Sequence, residues 1–314
     1  MTELESWVER VLKFPEIVQA ESSNACNASC IMCPVTTHMT RPKVHMDRDI
    51  FRKIVDDCIG KPVHDFHLHQ NGEPLLIGPY EFVQRLKYAK EKLNPQGTRV
   101  GFFTNASLLY PQLAREILEQ APPEFIIFSF DGGDKESYEK VRIGLNFEQT
   151  VRNIKYFSRT RASMGLKGKV FCAVQFVPLK VNEHRIEEFR ALFNDCELDN
   201  VGTVGMTNYS GAINADPIRH THQHPMGDKT NPCWRIFTSL IVQSDGQVSL
   251  CCMEHDGKVI MGDVRKNTIE EIWKGPMFQH YRDMHIQRRQ AELEVCKGCD
   301  YMSYFDTPGW YFGR

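Results

Sequence analysis

The chain lacks the features that would place it in a membrane or on a polyanion. No apolar run approaches the roughly 18 residues of a membrane span. Formal net charge is only −2 at pH 7, from 38 Lys and Arg against 40 Asp and Glu. That balance excludes bulk electrostatic attraction to nucleic acid or an anionic bilayer. No internal repeat or low-complexity segment is evident. The first ten residues, Met-Thr-Glu-Leu-Glu-Ser-Trp-Val-Glu-Arg, are acidic and amphipathic, without the basic start and apolar stretch of a signal peptide. Cysteine, by contrast, is plentiful, with eleven in 314 residues. Without a secretion signal the expectation is a cytoplasmic protein with reduced thiols, so clustered cysteines read as metal ligands rather than disulfides. The length allows a large core and one to two domains.

The cysteines fall mainly in two sets. The first is Cys26-Asn-Ala-Ser-Cys30-Ile-Met-Cys33. Three thiolates on one short loop can hold three corners of a cubane [4Fe–4S] cluster and leave the fourth iron open to an outside ligand. Unrelated thiols or a zinc knuckle are the alternatives. The second set is Cys233, Cys251, Cys296 and Cys299, the last two as Cys296-Lys-Gly-Cys299. A hairpin and a distant CxxC pair can converge on one centre, and spacing alone allows zinc as well as iron–sulfur. Cys58, Cys172 and Cys196 fall on helix or strand patterns and read as buried small apolar residues.

Apolar runs rich in β-branched or aromatic residues predict strands at 17–22, 65–70, 99–104, 125–130, 170–177 and 201–206. Helical spacing lies between them at 47–58, 79–93, 108–120, 147–164 and 182–193, the last opening on Asn182 as N-cap. Strands alternating with helices imply about six parallel βα units, with functional residues at the C-terminal ends of the strands. The 26–33 loop follows the first strand, where that rule wants it. Residues 209–232 read as loop. Beyond them, runs at 236–243 and 247–251 flank Ser244-Asp245-Gly246 and predict a β-hairpin. A helix is expected from about residue 268, with Trp273 on its apolar face. The expected division is 1–208, a linker or lid at 209–232, and a second domain at 233–314.

The 26–33 spacing resembles the signature of the radical S-adenosylmethionine (SAM) enzymes. Gln70-Asn71-Gly72-Glu73-Pro74, after the second strand, is similar to that family's Gly-Gly-Glu segment. The resemblance implies an α/β fold, a partial (β/α)6 TIM-type barrel, with a [4Fe–4S] cluster whose open iron chelates SAM. Cleavage of SAM to a 5′-deoxyadenosyl radical then removes hydrogen from a substrate. It further implies that Glu73 accepts from the SAM ammonium, beside Gly72 and an Asn71 that stands in for glycine because Asn accepts positive φ. Thr104 and Asn105 would lie near the ribose and methionine moieties, and Ser129 and Asp131 near the ribose. Arg142 would pair with the SAM carboxylate through its fork, and Met32 would pack near adenine.

Cys233, Gly246, Cys251, Gly262-Asp263-Val264, Ile269–Trp273 and the CxxC pair resemble the SPASM/twitch extension of these enzymes. With no cysteine after Cys299, the shorter twitch form and one auxiliary [4Fe–4S] cluster are implied. The spacing is similar to that of twitch enzymes that oxidise or epimerise aminocyclitol and amino-sugar carbons in antibiotic pathways, the 2-deoxy-scyllo-inosamine dehydrogenase group among them. Dehydrogenation of a secondary alcohol is the favoured expectation, with the auxiliary cluster taking an electron. Epimerisation is the alternative, with Cys252 donating a hydrogen atom; otherwise Cys252 is a core thiol. Modification of a ribosomal peptide is disfavoured because little chain precedes the first predicted strand. An iron–sulfur carrier or sensor is the non-enzyme reading.

His67 and His69 should face one side of their strand, so His69 is a substrate contact or a barrel-interior histidine. Glu21 is a substrate contact or half of an ion pair. Arg219-His220-Thr221-His222-Gln223-His224 reads as a substrate lid or solvated turn. Tyr301, Tyr304, Phe305, Trp310 and Tyr311 make an aromatic tail that should pack back on the barrel or present a partner surface. The implied partners are a small polar substrate and a flavodoxin or ferredoxin-type electron donor, with no nucleic acid and no membrane.

Overall fold

All six predicted strands form, each within or close to its apolar run. They are β1 (Ile17–Ala20), β2 (Asp65–His67), β3 (Arg99–Thr104), β4 (Phe125–Ser129), β5 (Phe171–Phe176) and β6 (Asn200–Thr203). The structure, a computed structural model, describes residues 11–220 and 232–301. The six strands pair in parallel in chain order. The predicted helices return the chain as α1 (Arg48–Asp57), α2 (Pro79–Leu93), α3 (Pro111–Gln120), α5 (Phe147–Ser163) and α6 (Ile186–Leu192). α1 shows why: Asp47 caps the Asp49 and Ile50 amides, and Phe51, Ile54 and Val55 bury one face. Among the helices not expected from the sequence is α4 (Lys135–Val141), started by a capping box between Asp134 and Ser137.

Parallel strands need cover on both faces. Phe102 and Phe128 pack edge-on against Phe82 of α2 and Phe157 of α5. Their strand neighbours point inward, where Phe125, Ile127 and Ala173 form a small cluster of their own with Phe103. The barrel is partial: β6 is one edge of the sheet.

The other edge does not end at β1. β7 (Ser239–Val242) pairs with it in parallel, Ala20 facing Val242, and β8 (Gln247–Ser249) and β9 (Ile260–Asp263) follow antiparallel. The expected hairpin therefore extends the barrel's own sheet to nine strands. β9 was not foreseen, and the start of the 236–243 run is a helical turn, Arg235–Thr238. Gly262 lets β9 lie on α7 (Ile269–Trp273), since a Cβ there would stand 2.7 Å from the Ile272 side chain. Trp273 is buried as expected. Its indole N–H donates to the Val11 carbonyl at 2.8 Å, and Arg282 of α8 (Pro276–Ile286) stacks on its ring.

No helix among the described residues is long and apolar enough to cross a membrane. His222 and His224 of the predicted lid, and Tyr304, Phe305, Trp310 and Tyr311 of the tail, lie outside the described residues.

Candidate active site

The first cysteine loop leaves the C-terminal end of β1 and is held from three sides. A short antiparallel pairing sets Ser29–Cys30 against Arg142–Ile143, with Cys30 opposite Arg142. Asn27 bonds to Asn105 and Ser107 beyond β3, at 3.0 and 2.9 Å. Gly72, at φ +71, lies so close beneath that an added Cβ would be 2.4 Å from the Ala25 carbonyl oxygen. Only glycine fits there. The Glu73 amide donates to that same carbonyl at 2.8 Å.

Glu73 is buried behind the loop. It accepts from the Thr104 hydroxyl at 2.7 Å, the Asn105 amide at 2.8 Å and the Leu75 amide at 3.2 Å. Burial pushes its carboxyl up to about 6, against the pull of those donors. Arg142 lies under the loop, its Nη1 3.9 Å from the Cys30 sulfur. Its guanidinium grips Asp131 at 2.6 and 2.8 Å. Burial works against the Arg142 charge, and Asp131, Cys30 and Tyr138 together more than offset it, so the guanidinium stays protonated.

Four further thiols gather where β8 ends. The Cys251 thiol is raised first by burial and then by Cys252, Cys299, Cys233 and Cys296. Burial and mutual repulsion likewise hold Cys233 and Cys296 up at about 12. In the first set burial pushes Cys26 up to about 11 and Cys33 to about 12. Such crowding disfavours bare thiolates and suits sulfur that a metal's charge deprotonates. Among the described residues no three His, Cys, Asp or Glu side chains stand close enough for one metal ion.

The radical SAM superfamily profile matches residues 21–193, more than half of the chain. The chain belongs to the radical SAM superfamily. An iron–sulfur cluster-binding domain profile, SPASM, matches residues 233–300. Over 300 residues the chain is 19% identical to an S-adenosyl-L-methionine-dependent 2-deoxy-scyllo-inosamine dehydrogenase of Niallia circulans, covering 93% of this chain and 95% of that protein. It is similar in structure to BtrN in complex with AdoMet and 2-DOIA, with a TM-score of 0.60, 15% identity, and 91% and 93% of the two chains covered. It is also similar to Streptococcus suis SuiB bound to precursor peptide SuiA, at a TM-score of 0.68 and 13% identity over 89% and 70% of the chains. The fold is thus the α/β radical SAM fold with a C-terminal SPASM domain. The family binds a [4Fe–4S] cluster and SAM in the first domain and auxiliary iron–sulfur in the second.

In this radical SAM enzyme several expected residues do something other than the sequence reading assigned. Asn71 has no positive φ; Gly72 takes that conformation, and the Asn71 amide instead donates to Glu21 at 2.9 Å. Asp131 is not free for a ribose. One oxygen holds Arg142 and the other accepts from the Val177 amide at 2.7 Å. Glu21 is the ion-pair alternative: fully buried, it takes Arg41 at 3.0 Å, Asn71, and both the amide and hydroxyl of Ser244 at 2.8 Å. Asn105 is spent on Asn27 and Ser107. Ser129 is half-buried at the end of β4, and Met32 is buried in the core.

His69 stacks on His67 and accepts from the Phe103 amide through Nδ1 at 3.2 Å. Burial holds it well below the usual imidazole range, so it is neutral, with its proton on Nε2. Cys252 is buried with its carbonyl tied to Gln70 and its thiol in the field of Arg235. Arg235 lies over the rings of Trp234 and Tyr301, so the first tail aromatic packs within the 233–314 segment. Arg219 and His220 of the predicted lid pair with Asp300 and Glu183. Cys58 and Cys172 are buried as expected, while Cys196 is half-buried.

Sequence reading missed Tyr209. It is half-buried, in the field of Cys33, Cys30 and Cys252. Its signal was weak, a lone tyrosine at the start of a polar loop.

Proposed function

We propose that this enzyme dehydrogenates a secondary alcohol of a small polar substrate, a sugar, aminocyclitol or aminoglycoside-like molecule. The observation that carries this reading is the second thiol set. Four half-buried cysteines supplied by one chain would leave an iron–sulfur cluster with no open iron, which suits it to electron transfer rather than substrate binding. The near full-length similarity to a dehydrogenase named for an aminocyclitol supports it.

In this reading Cys26, Cys30 and Cys33 hold the SAM cluster, and Cys233, Cys251, Cys296 and Cys299 hold the auxiliary one. The domain division is 1–208, 209–232 and 233–314. When bound, these groups supply hydrogen abstraction from carbon and a one-electron acceptor. The chain's own residues position the reactants. Glu73 takes the SAM ammonium, oriented by Thr104 and Asn105. Arg142, fixed by Asp131, presents its remaining donors at the cluster loop toward the SAM carboxylate. Gly72 lets that segment approach, and Ser129 lines the ribose side. His67, His69 and Phe103 fill the barrel beneath and exclude water. The alcohol loses a hydrogen atom from carbon, then a proton from oxygen and one electron, leaving a ketone. A flavodoxin or ferredoxin-type donor in the cytoplasm supplies the electron that starts each turnover.

Epimerisation is the second reading. Its specific support is Cys252, a buried thiol whose backbone is tied to the SAM-binding segment through Gln70. Similarity to SuiB supports the fold and no substrate.

The test is anaerobic turnover of aminocyclitols and amino sugars deuterated at the carbinol carbon. The expected result is deuterium in 5′-deoxyadenosine, one per ketone. No 5′-deoxyadenosine from fully loaded protein would reduce the chain to an electron carrier.

A further inference from the structure

A groove of about 750 Å³ runs beside α5, with Tyr110 and Pro111 at the start of α3 also lining it. Three cations line it, Arg152, Lys155 and Arg159, and no carboxylate does. Asp195, outside the lining, pairs with Lys155 at 2.7 Å and Arg159 at 2.6 Å. Arg152 is exposed and makes no salt bridge among the described residues. The groove is joined to the first cysteine loop through the turn after β3. Gln149 of its lining donates to the Ser107 carbonyl at 2.8 Å. Asn153, also in the lining, donates to the Ala106 and Ser107 carbonyls at 2.8 and 3.1 Å. Between them they hold Ala106 at φ 60, a left-handed conformation that a non-glycine residue keeps only where its surroundings fix it. The Ser107 hydroxyl accepts from Asn27 at 2.9 Å, and Asn27 is the neighbour of Cys26. The outer edge of the cysteine loop is open. Asn27 and Ser29 are exposed, and Ile143, paired with Ser29, is an apolar side chain left 49% exposed. One continuous surface thus runs from the edge of the cysteine loop to the cationic groove.

We propose that this surface, Ile143 and the loop edge flanked by Arg152, Lys155 and Arg159, docks the acidic carrier protein that delivers the electron to the SAM cluster. The inference rests on the reading of Cys26, Cys30 and Cys33 as that cluster's ligands. The carrier is oxidised by one electron and the cluster is reduced by one; no bond forms or breaks in this step. Electron carriers make small, transient interfaces. Their encounter rates therefore depend on steering by a local patch of charge. The chain as a whole is slightly acidic, at −2, so an anionic partner is guided by where cations gather. Here they gather beside the loop that the electron must reach. The exposed Ile143 supplies the apolar centre that such a contact needs, and the cations supply its charged rim.

The experiment uses the reconstituted full chain with Arg152→Glu and with Arg152→Glu plus Arg159→Glu, both on exposed side chains. Calorimetry measures the binding of an oxidised flavodoxin and an oxidised ferredoxin, each of net negative charge. Formation of 5′-deoxyadenosine is then compared with each reduced carrier and with dithionite, which needs no docking. The double variant should bind the carrier about tenfold more weakly and lose a similar factor in carrier-driven rate, the single variant less. The dithionite-driven rate should not change. Added salt should weaken carrier binding to the wild type more than to the double variant. Unchanged affinity and carrier-driven rate overturn the proposal. An equal loss with dithionite also overturns it, because the groove would then serve the substrate or the fold. Wild type that works with dithionite and with neither carrier removes the carrier and the proposal together. Cys33→Ala tests the ligand reading separately. It should bind the carrier as the wild type does and make no 5′-deoxyadenosine; undiminished 5′-deoxyadenosine would overturn that reading.

Discussion

Gln70 donates through Nε2 to the carbonyl oxygen of Cys252 at 2.8 Å. The residue that opens the 70–74 segment, proposed to bind SAM, thus holds the backbone of Cys252. The two halves of the site share one sheet as well, since β7 continues it from β1. The 70–74 segment and the Cys251–Cys252 turn are therefore positioned together.

The two thiol sets should separate in iron analysis and in chemistry. Cys33→Ala should cut iron from about eight to about four per chain and abolish 5′-deoxyadenosine formation. Cys296→Ala should lose a similar share of iron yet still cleave SAM, without accumulating ketone. Equal loss of SAM cleavage in both would mean the second centre is needed to assemble the first.

Glu21 carries a structural load. Glu21→Ala strands the Arg41 guanidinium, whose side chain is only 10% exposed, and should cost about 3–5 kcal/mol in a denaturant melt. KM of the surviving folded enzyme should hardly change. A raised KM with unchanged stability would restore the substrate role.

Arg142 has two partners to be told apart. Arg142→Met leaves Asp131 a buried, unpaired carboxylate and should cost about 3–5 kcal/mol. Adding Asp131→Leu should recover most of that stability. SAM affinity should stay low in both, because the fork for its carboxylate is gone. Affinity that returned with stability would confine Arg142 to the clamp.

The pH profile follows from Glu73, raised from 4.5 to about 6 chiefly by burial. Folding favours its acid form, so this group's contribution to stability is greatest below about 4.5 and is lost as pH rises through about 6. SAM binding has the opposite sign, because an ammonium needs the carboxylate. Calorimetry should show SAM affinity falling toward tenfold per unit below about pH 6. Glu73→Gln should bind more weakly and without that slope. A flat wild-type profile would remove Glu73 from the ammonium site.

What the sequence revealed was local. The six strands and five helices stood out because apolar period and capping residues act within a few positions, and the cysteines because their spacing carries the chemistry. α4 was missed because Tyr138 and Val141 are its only buried apolar residues, too sparse a face for the period to show. Long-range pairing was not legible. Nothing near Glu21 announces Ser244, and nothing near Asp131 announces that Arg142 would claim it rather than a ribose. The Asn71 reading failed for the converse reason: Gly72, one residue on, already supplied the positive φ.

The most direct test is anaerobic turnover of an aminocyclitol and amino-sugar panel in D2O, with product mass and the fate of Cys252→Ala read together. The account predicts a product lighter by two hydrogens, without carbon-bound deuterium, and still formed by Cys252→Ala. A product of unchanged composition carrying one carbon-bound deuterium, lost in Cys252→Ala while 5′-deoxyadenosine still forms, would contradict it and make the enzyme an epimerase.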